Sequence, residues 1–186
     1  MDQEDAVLVA AFKRGEESAF TALVIKYRET VYRIARRMVQ SHEDGADVTQ
    51  EVFIRVHRAL PRFDGRSQLR TWLYRITVNL CLDFQERRRR QAWVDLDEVV
   101  EEAPAEAGPV AQAEAAAVRQ AVARAVDALP PRQRAMVALR LYQDLPYDEI
   151  AQICECSEGT VKATMFAALR KLRGMLAEEW SEERSR

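Results

Sequence analysis

Apolar residues recur every three or four positions along most of this chain, and nowhere do they alternate over a strand's length. Only α-helices satisfy that pattern. Phe20, Leu23, Val24, Tyr27, Val31, Ile34, Ala35 and Met38 form one stripe, with Lys26, Arg33 and Arg37 off it. A second stripe follows the break at 41–45 and holds Val48, Val52, Phe53, Val56 and Leu60, which places a helix over 44–60 that Pro61 stops. A third begins near Ser67, carries Leu69, Trp72, Leu73, Ile76, Leu80 and Phe84, and closes on four arginines, Arg87 to Arg90. Further on, an Ala-rich helix over 113–129 is broken by Pro130 and Pro131. Next come a helix holding Met136, Leu139 and Leu141, a short one over 147–154 and a last one over 157–179. The expected fold class is all-α.

The helical pattern is interrupted once. Residues 93–112 carry Asp95, Asp97, Glu98, Glu101, Glu102 and Glu106 without a single base, and also Pro104, Gly108 and Pro109. Like charge with proline and glycine reads as an acidic flexible linker. The expected organisation is two small helical domains, an N-terminal helical bundle over 1–92 and a C-terminal domain over 113–186. With 186 residues there is room for both.

A formal charge of -2 excludes a uniformly basic nucleic-acid binder, although residues 1–92 hold 17 Lys+Arg against 13 Asp+Glu. The longest apolar run, Ala6 to Phe12, is too short for a bilayer, so no direct membrane insertion is expected. The acidic start, Met1-Asp2-Gln3-Glu4-Asp5, is unlike a signal peptide. Cys81, Cys154 and Cys156 build no disulfide framework. The expected compartment is the cytoplasm.

Residues 147–166 have the layout of a helix-turn-helix. Ala151 is small enough for a close crossing, and Ile150, Ile153, Val161 and Met165 point to a shared core. Ser157 is a suitable N-cap. Gly159 and Thr160 open the second helix, where free N–H groups can hold a phosphate, with Lys162 as a nearby cation. A helical hairpin packed only on its own domain is the plainer alternative. Around the third helix, Arg66, Arg70 and Arg75 stand near Trp72, Tyr74 and Phe84, a combination suited to single-stranded nucleic acid. Trp72 lies on the apolar stripe and is expected in the core. Arg87 to Arg90 point to all sides of a helix and are expected in solvent or on phosphate.

Several of these blocks resemble a known family. Asp47-Val48-Thr49-Gln50-Glu51-Val52-Phe53-Ile54, then Phe63-Asp64-Gly65, then Leu69-Arg70-Thr71-Trp72-Leu73-Tyr74-Arg75-Ile76 and Asn79 resemble the second domain of extracytoplasmic-function (ECF) sigma factors. Asp127-Ala128-Leu129-Pro130-Pro131-Arg132-Gln133-Arg134 is similar to the start of their fourth domain, and Tyr147 to Ala151 and Gly159 to Lys162 continue it. The resemblance implies a transcription initiation factor with core RNA polymerase and promoter DNA as partners, an anti-sigma factor of unidentified type, no cofactor and no metal. It implies polymerase binding by Asp47, Gln50, Glu51 and Ile54, and minus-ten recognition and melting by Phe63, Arg66, Ser67, Arg75 and Asn79. Minus-thirty-five contacts are implied for Ser157, Thr160, Lys162, Thr164, Phe166 and Arg170. Melting traps a flipped base, and an Asn side chain has the paired donor and acceptor to read a base edge.

The chain departs from the family where Thr164 and Ala167 replace frequent arginines, Ala163 a serine, and Glu155 the common turn glycine. A regulator active only through its helix-turn-helix would leave the Asp47–Ile54 and Trp72–Asn79 blocks without a role. An enzyme is disfavoured: His42 and His57 are the only histidines, and no nucleophile, base and acid share a suitable spacing, so no catalytic residue is assigned. Cys154 and Cys156 lack the further ligands that zinc needs.

Overall fold

A computed structural model describes residues 2–92 and 121–183. The linker expected over 93–112 lies outside the described residues, and the helix expected over 113–129 is described only from 121. The described residues form α1 (Gln3–Lys13), α2 (Glu17–Val39), α3 (His42–Ala59), a 3-10 turn (Leu60–Arg62), α4 (Leu69–Ala92), α5 (121–127), α6 (Pro131–Gln143), α7 (Tyr147–Ile153) and α8 (Glu158–Glu183). No strand occurs among them.

The central helix of the N-terminal bundle is α2, which packs against α1, α3 and α4. Its stripe is buried as its period demands, with Val31, Ile34, Ala35 and Met38 inside. Helix α1 has no such stripe, because Ala6 to Phe12 is apolar throughout; what fixes it is a polar anchor. Asp5 is buried and accepts from Tyr27 Oη at 2.7 Å and Lys26 Nζ at 2.9 Å. Lys26 also reaches Asp2 at 3.0 Å and Glu4 at 2.7 Å. Those carboxylates hold the Lys26 ammonium well above the usual lysine range, while burial, and then Asp5, push the Tyr27 phenol up.

Helix α3 begins earlier than its apolar stripe. Ser41 Oγ accepts from the N–H of Asp44 at 3.2 Å, so Gly45 lies inside the first turn rather than in a break. A Cβ there would stand 3.0 Å from Arg36 Cα on α2. The glycine is therefore what lets the two helices touch. Gly45→Ala gains about 1 kcal/mol of helix propensity but forces apart two backbones at a cost of about 1–3 kcal/mol. We expect a net loss of up to about 2 kcal/mol, read as a lower midpoint in urea unfolding followed by circular dichroism; a raised midpoint would refute the close-contact role.

The C-terminal group is set by Pro131, which starts α6 as a first-turn proline rather than merely ending the helix before it. Arg134 on α6 is only 7% exposed. It donates to the carbonyls of Leu129 at 3.0 Å and Asp127 at 2.5 Å at the end of α5, and to Met38 O at the end of α2 at 2.8 Å. A cation on two helix C-termini is favourable for both dipoles. Helix α4 is buried on a wide face, including Thr71, Tyr74, Thr77, Val78 and Cys81, because α6 and α7 cover the side that the bundle leaves open.

Candidate nucleic-acid interface

Helix α3 turns Val48, Val52 and Val56 inward and leaves Asp47, Gln50 and Ile54 exposed, with Glu51 half-exposed and paired to Arg55 at 2.9 Å. Between this face and α2 runs an apolar groove of about 780 Å³, lined among others by Phe20, Val24, Gln50, Phe53, Ile54 and Arg58. The two histidines stand at opposite ends of α3. His57 stacks edge-on between Phe12 and Phe20, with ring centroids 5.1 and 4.8 Å away, and His42 Nδ1 is hydrogen-bonded to Tyr32 Oη.

Beyond the 3-10 turn, Phe63 is buried with its ring 5.0 Å from that of Trp72. Its side chain is therefore structural and shapes the loop, while its carbonyl accepts from Lys13 Nζ at 2.6 Å. Trp72 packs against the core, as its place on the stripe implied. Asp64 receives the N–H of Arg66 at 3.1 Å, and Gly65 takes φ +74 where a side chain would be strained. Arg66 is thereby held out in solvent, and Ser67 is half-exposed. A single turn apart on α4, Arg75 is half-buried and Asn79 exposed. At the far end of α4, Arg87 to Arg90 are exposed and partly paired, Arg88 with Asp44 at 2.7 Å and Arg89 and Arg90 with Glu86 at 3.1 and 3.2 Å.

The two-helix unit α7–α8 has the expected core: Ile150, Ile153, Val161 and Met165 are buried. Its turn is left-handed at Glu155, φ +52, and closes with the N–H of Cys156 on Ala151 O at 3.0 Å. That is the helix-ending motif which glycine usually serves, kept here at a strain of roughly 1–2 kcal/mol. Ser157 Oγ accepts from the N–H of Thr160 at 3.0 Å and caps α8. Thr160, Lys162, Phe166 and Arg170 are exposed, Phe166 by 70%, and Thr164 is half-exposed. Lys162 pairs with Glu158 at 2.7 Å, which holds its ammonium above the ordinary lysine value. Burial pushes the Cys154 thiol up to about 12, and the Cys81 thiol likewise, so neither is a ready thiolate. No group of three or more metal-ligating side chains occurs among the described residues.

The tertiary structure brings together residues that the sequence had placed in separate domains. Asn79 on α4 and Thr160 and Thr164 on α8 line one cleft of about 500 Å³, with Arg132 and Cys154 on its walls.

Comparison with known proteins agrees with the all-helical fold. A family model described as Sigma-70 region 2 matches residues 23–103, and one described as Sigma-70, region 4 matches residues 119–172. The ECF RNA polymerase sigma-E factor of Escherichia coli (strain K12) is 36% identical over 172 residues, covering 88% of this chain and 90% of the relative. The chain is an ECF sigma factor of the sigma-70 family. The RNA polymerase sigma-H factor of Pseudomonas aeruginosa is 33% identical over 175 residues, 89% of this chain and 90% of its own. In fold, the chain is similar to CnrH in its complex with the cytosolic domain of CnrY, at a TM-score of 0.69 and 24% identity over 95% of this chain and 99% of that one. It is similar also to the sigma factor RpoE of Bartonella quintana in complex with the anti-sigma factor NepR, at a TM-score of 0.68 and 22% identity over 85% of this chain and 96% of that one. As a member, the protein binds core RNA polymerase and directs it to promoters. No described helix is long and apolar enough to cross a membrane.

Sequence reasoning missed Arg134, the Asp5–Lys26–Tyr27 anchor and the whole of α1. The first two are polar contacts between residues far apart in sequence, so periodicity carries no trace of them.

Proposed function

We propose that three surfaces divide the work of this sigma factor. The groove beside α3 receives a helix of the polymerase, with Ile54 and Gln50 in contact and Asp47 and Glu51 on the rim. The loop at 63–67 and the α4 face bearing Arg75 and Asn79 read and open the minus-ten element, Phe63 acting by holding the loop. Helix α8 enters the major groove at the minus-thirty-five element through Thr160, Lys162, Thr164, Phe166 and Arg170, Ser157 serving as its cap. The supporting observation is the outward face of α3. Asp47, Gln50 and Ile54 are exposed beside an apolar groove although the opposite stripe is buried, a surface that its own domain does not use. The protein acts by binding, without chemistry of its own, in the cytoplasm. The two solved relatives of like fold are bound to an anti-sigma factor or to CnrY, and an anti-sigma partner is proposed here too. Run-off transcription with purified core polymerase on genomic fragments tests the reading; no discrete transcript start would overturn it.

The minus-thirty-five surface makes its own prediction. Lys162 is the first cation on α8, and the next is Arg170. Ala163, Phe166 and Ala167 offer apolar contact, which suits thymine methyl groups. Contacts to phosphate are thus few, and each added one steepens the dependence of log K on log salt by about 0.9. The Thr164→Arg, Ala167→Arg double variant, assembled with core polymerase, is expected to bind promoter duplex more tightly and with a slope steeper by about one to two units. Fluorescence anisotropy across a salt series measures both. Unchanged slope and affinity would mean that these positions do not face DNA.

A further inference from the structure

The loop at 63–67 is held by a helix assigned to none of the three surfaces. Lys13, the last residue of α1, donates through Nζ to the carbonyl of Phe63 at 2.6 Å, across 50 residues of sequence. The end of α1 that carries it is itself fixed. Phe12 is buried, its ring centroid 5.4 Å from that of Phe20 and 5.1 Å from that of His57. Gly15 takes φ +97, and the N–H groups of Gly15 and Glu16 close back on Phe12 O at 2.9 Å and Ala11 O at 3.2 Å. The N–H of Arg14 closes on Ala10 O at 3.2 Å. Backbone thus satisfies these last carbonyls of α1, and the Lys13 ammonium is left to reach across to the loop.

The carbonyl it meets is the one that matters for the loop's direction. Phe63 has its ring against Trp72 and its N–H on Leu60 O at 3.1 Å. Those two contacts leave the peptide plane between Phe63 and Asp64 free, because it turns about ψ of one residue and φ of the next while ring and N–H stay put. That plane sets the direction in which Asp64 leaves, and Asp64 carries the exposed part of the loop. It accepts from the N–H of Arg66 at 3.1 Å and pairs with Arg66 Nε at 3.0 Å. Gly65, at φ +74, brings no side chain that could stiffen the turn. A charge-assisted bond to the Phe63 carbonyl therefore pins a coordinate that no other contact of Phe63 holds. Fixing a binding loop in its working shape beforehand removes the ordering cost when the ligand arrives.

We infer that Lys13 is a positioning residue for promoter opening: it holds the Phe63–Asp64 peptide plane so that Arg66 and Ser67 meet the minus-ten strand, and it touches no DNA itself. The consequence for opening rests on the minus-ten reading of this loop; the bond does not. Without the bond the loop samples other directions, and its apparent affinity for the strand falls by the fraction of molecules aimed correctly. The Asp5–Lys26–Tyr27 anchor, by docking α1, thereby serves the loop as well.

Phe63–Asp64 is the only Phe-Asp step in the sequence. Full-length protein isotope-labelled at the phenylalanine carbonyl and the aspartate nitrogen therefore gives a single peak in a carbonyl–amide correlation spectrum. Lys13→Met keeps the stem and removes the donor, and should move that peak; Lys13→Arg should return it towards the wild-type position. An unmoved peak in Lys13→Met overturns the inference. In the holoenzyme, Lys13→Met should lower opening of the minus-ten element about three- to tenfold by permanganate footprinting and flatten the ranking of minus-ten variants. Lys13→Arg should restore both, while retention on core polymerase stays at the wild-type level. The slope of log K against log salt should not change; a slope shallower by about 0.9 would make Lys13 a phosphate contact and overturn the positioning role. Asn79→Ala in the same assay separates the two readings. Opening impaired by Asn79→Ala but not by Lys13→Met overturns the inference alone. A peak that moves as expected, in a chain where neither variant alters opening, supports the bond and overturns the minus-ten surface instead.

Discussion

The Gln50→Ala, Glu51→Ala double variant is expected to lose about a hundredfold in affinity for core RNA polymerase, some 2–3 kcal/mol, with its helical circular-dichroism signal unchanged. The two halves of that expectation come from opposite faces of one helix. Gln50 lines the apolar groove and Glu51, the next residue of α3, is half-exposed, whereas Val48, Val52 and Val56 are buried and untouched by the change. Removing the exposed Glu51–Arg55 pair costs the fold only about 0.3–0.5 kcal/mol. Alanine at both positions also raises helix propensity slightly, which works against any unfolding explanation. The measurement is retention on immobilised core enzyme, titrated against the wild type. Equal retention would refute docking through this face.

Asn79→Ala should act later in the reaction. The side chain is exposed on α4, and the buried neighbours Val78 and Leu80 carry the packing, so the bundle survives its removal. Hydrogen bonding of one side chain to an unpaired or flipped base is worth roughly 1–3 kcal/mol, so its removal should weaken opening between about fivefold and a hundredfold. Polymerase binding should stay at the wild-type level while preference at one minus-ten position blurs. Permanganate footprinting of the opened strand, on a panel of minus-ten variants, reads both effects. A variant that ranks and opens the panel as the wild type does would remove Asn79 from the reading surface.

The same residues show how far a single chain can be read. A stripe every three or four positions is a local property, since a helix must bury one face against something whatever that something is. So α2, α3, α4 and the helix-turn-helix are legible, and so is Ser157 as cap, because a cap is decided within a few residues. The polar side of α3 is legible for the same reason: once Val48, Val52 and Val56 are committed inward, Asp47, Gln50 and Ile54 have nowhere to go but out.

Other features depend on what a residue meets, and sequence distance hides that. Helix α1 has an unpatterned apolar run, and only the pairing of Asp5 with Tyr27 and Lys26 assigns its buried side. Gly45 marks a break in a linear reading and a helix contact in three dimensions, because the atom it avoids is Arg36 Cα on the neighbouring helix. Phe63 sits in a motif for promoter melting, yet its ring is spent on Trp72. Arg134 and Arg70 look like two surface cations among many until their partners, Met38 O and Glu149, arrive from 96 and 79 residues away. The patterned helices, the Ser157 cap and the order of the family's motifs are written in the chain alone, because interactions within a turn or two set them. Which charges are buried, and that the two reading faces share one cleft, emerges only on packing. Desolvation and ion pairing act through space, between elements whose approach no local period encodes.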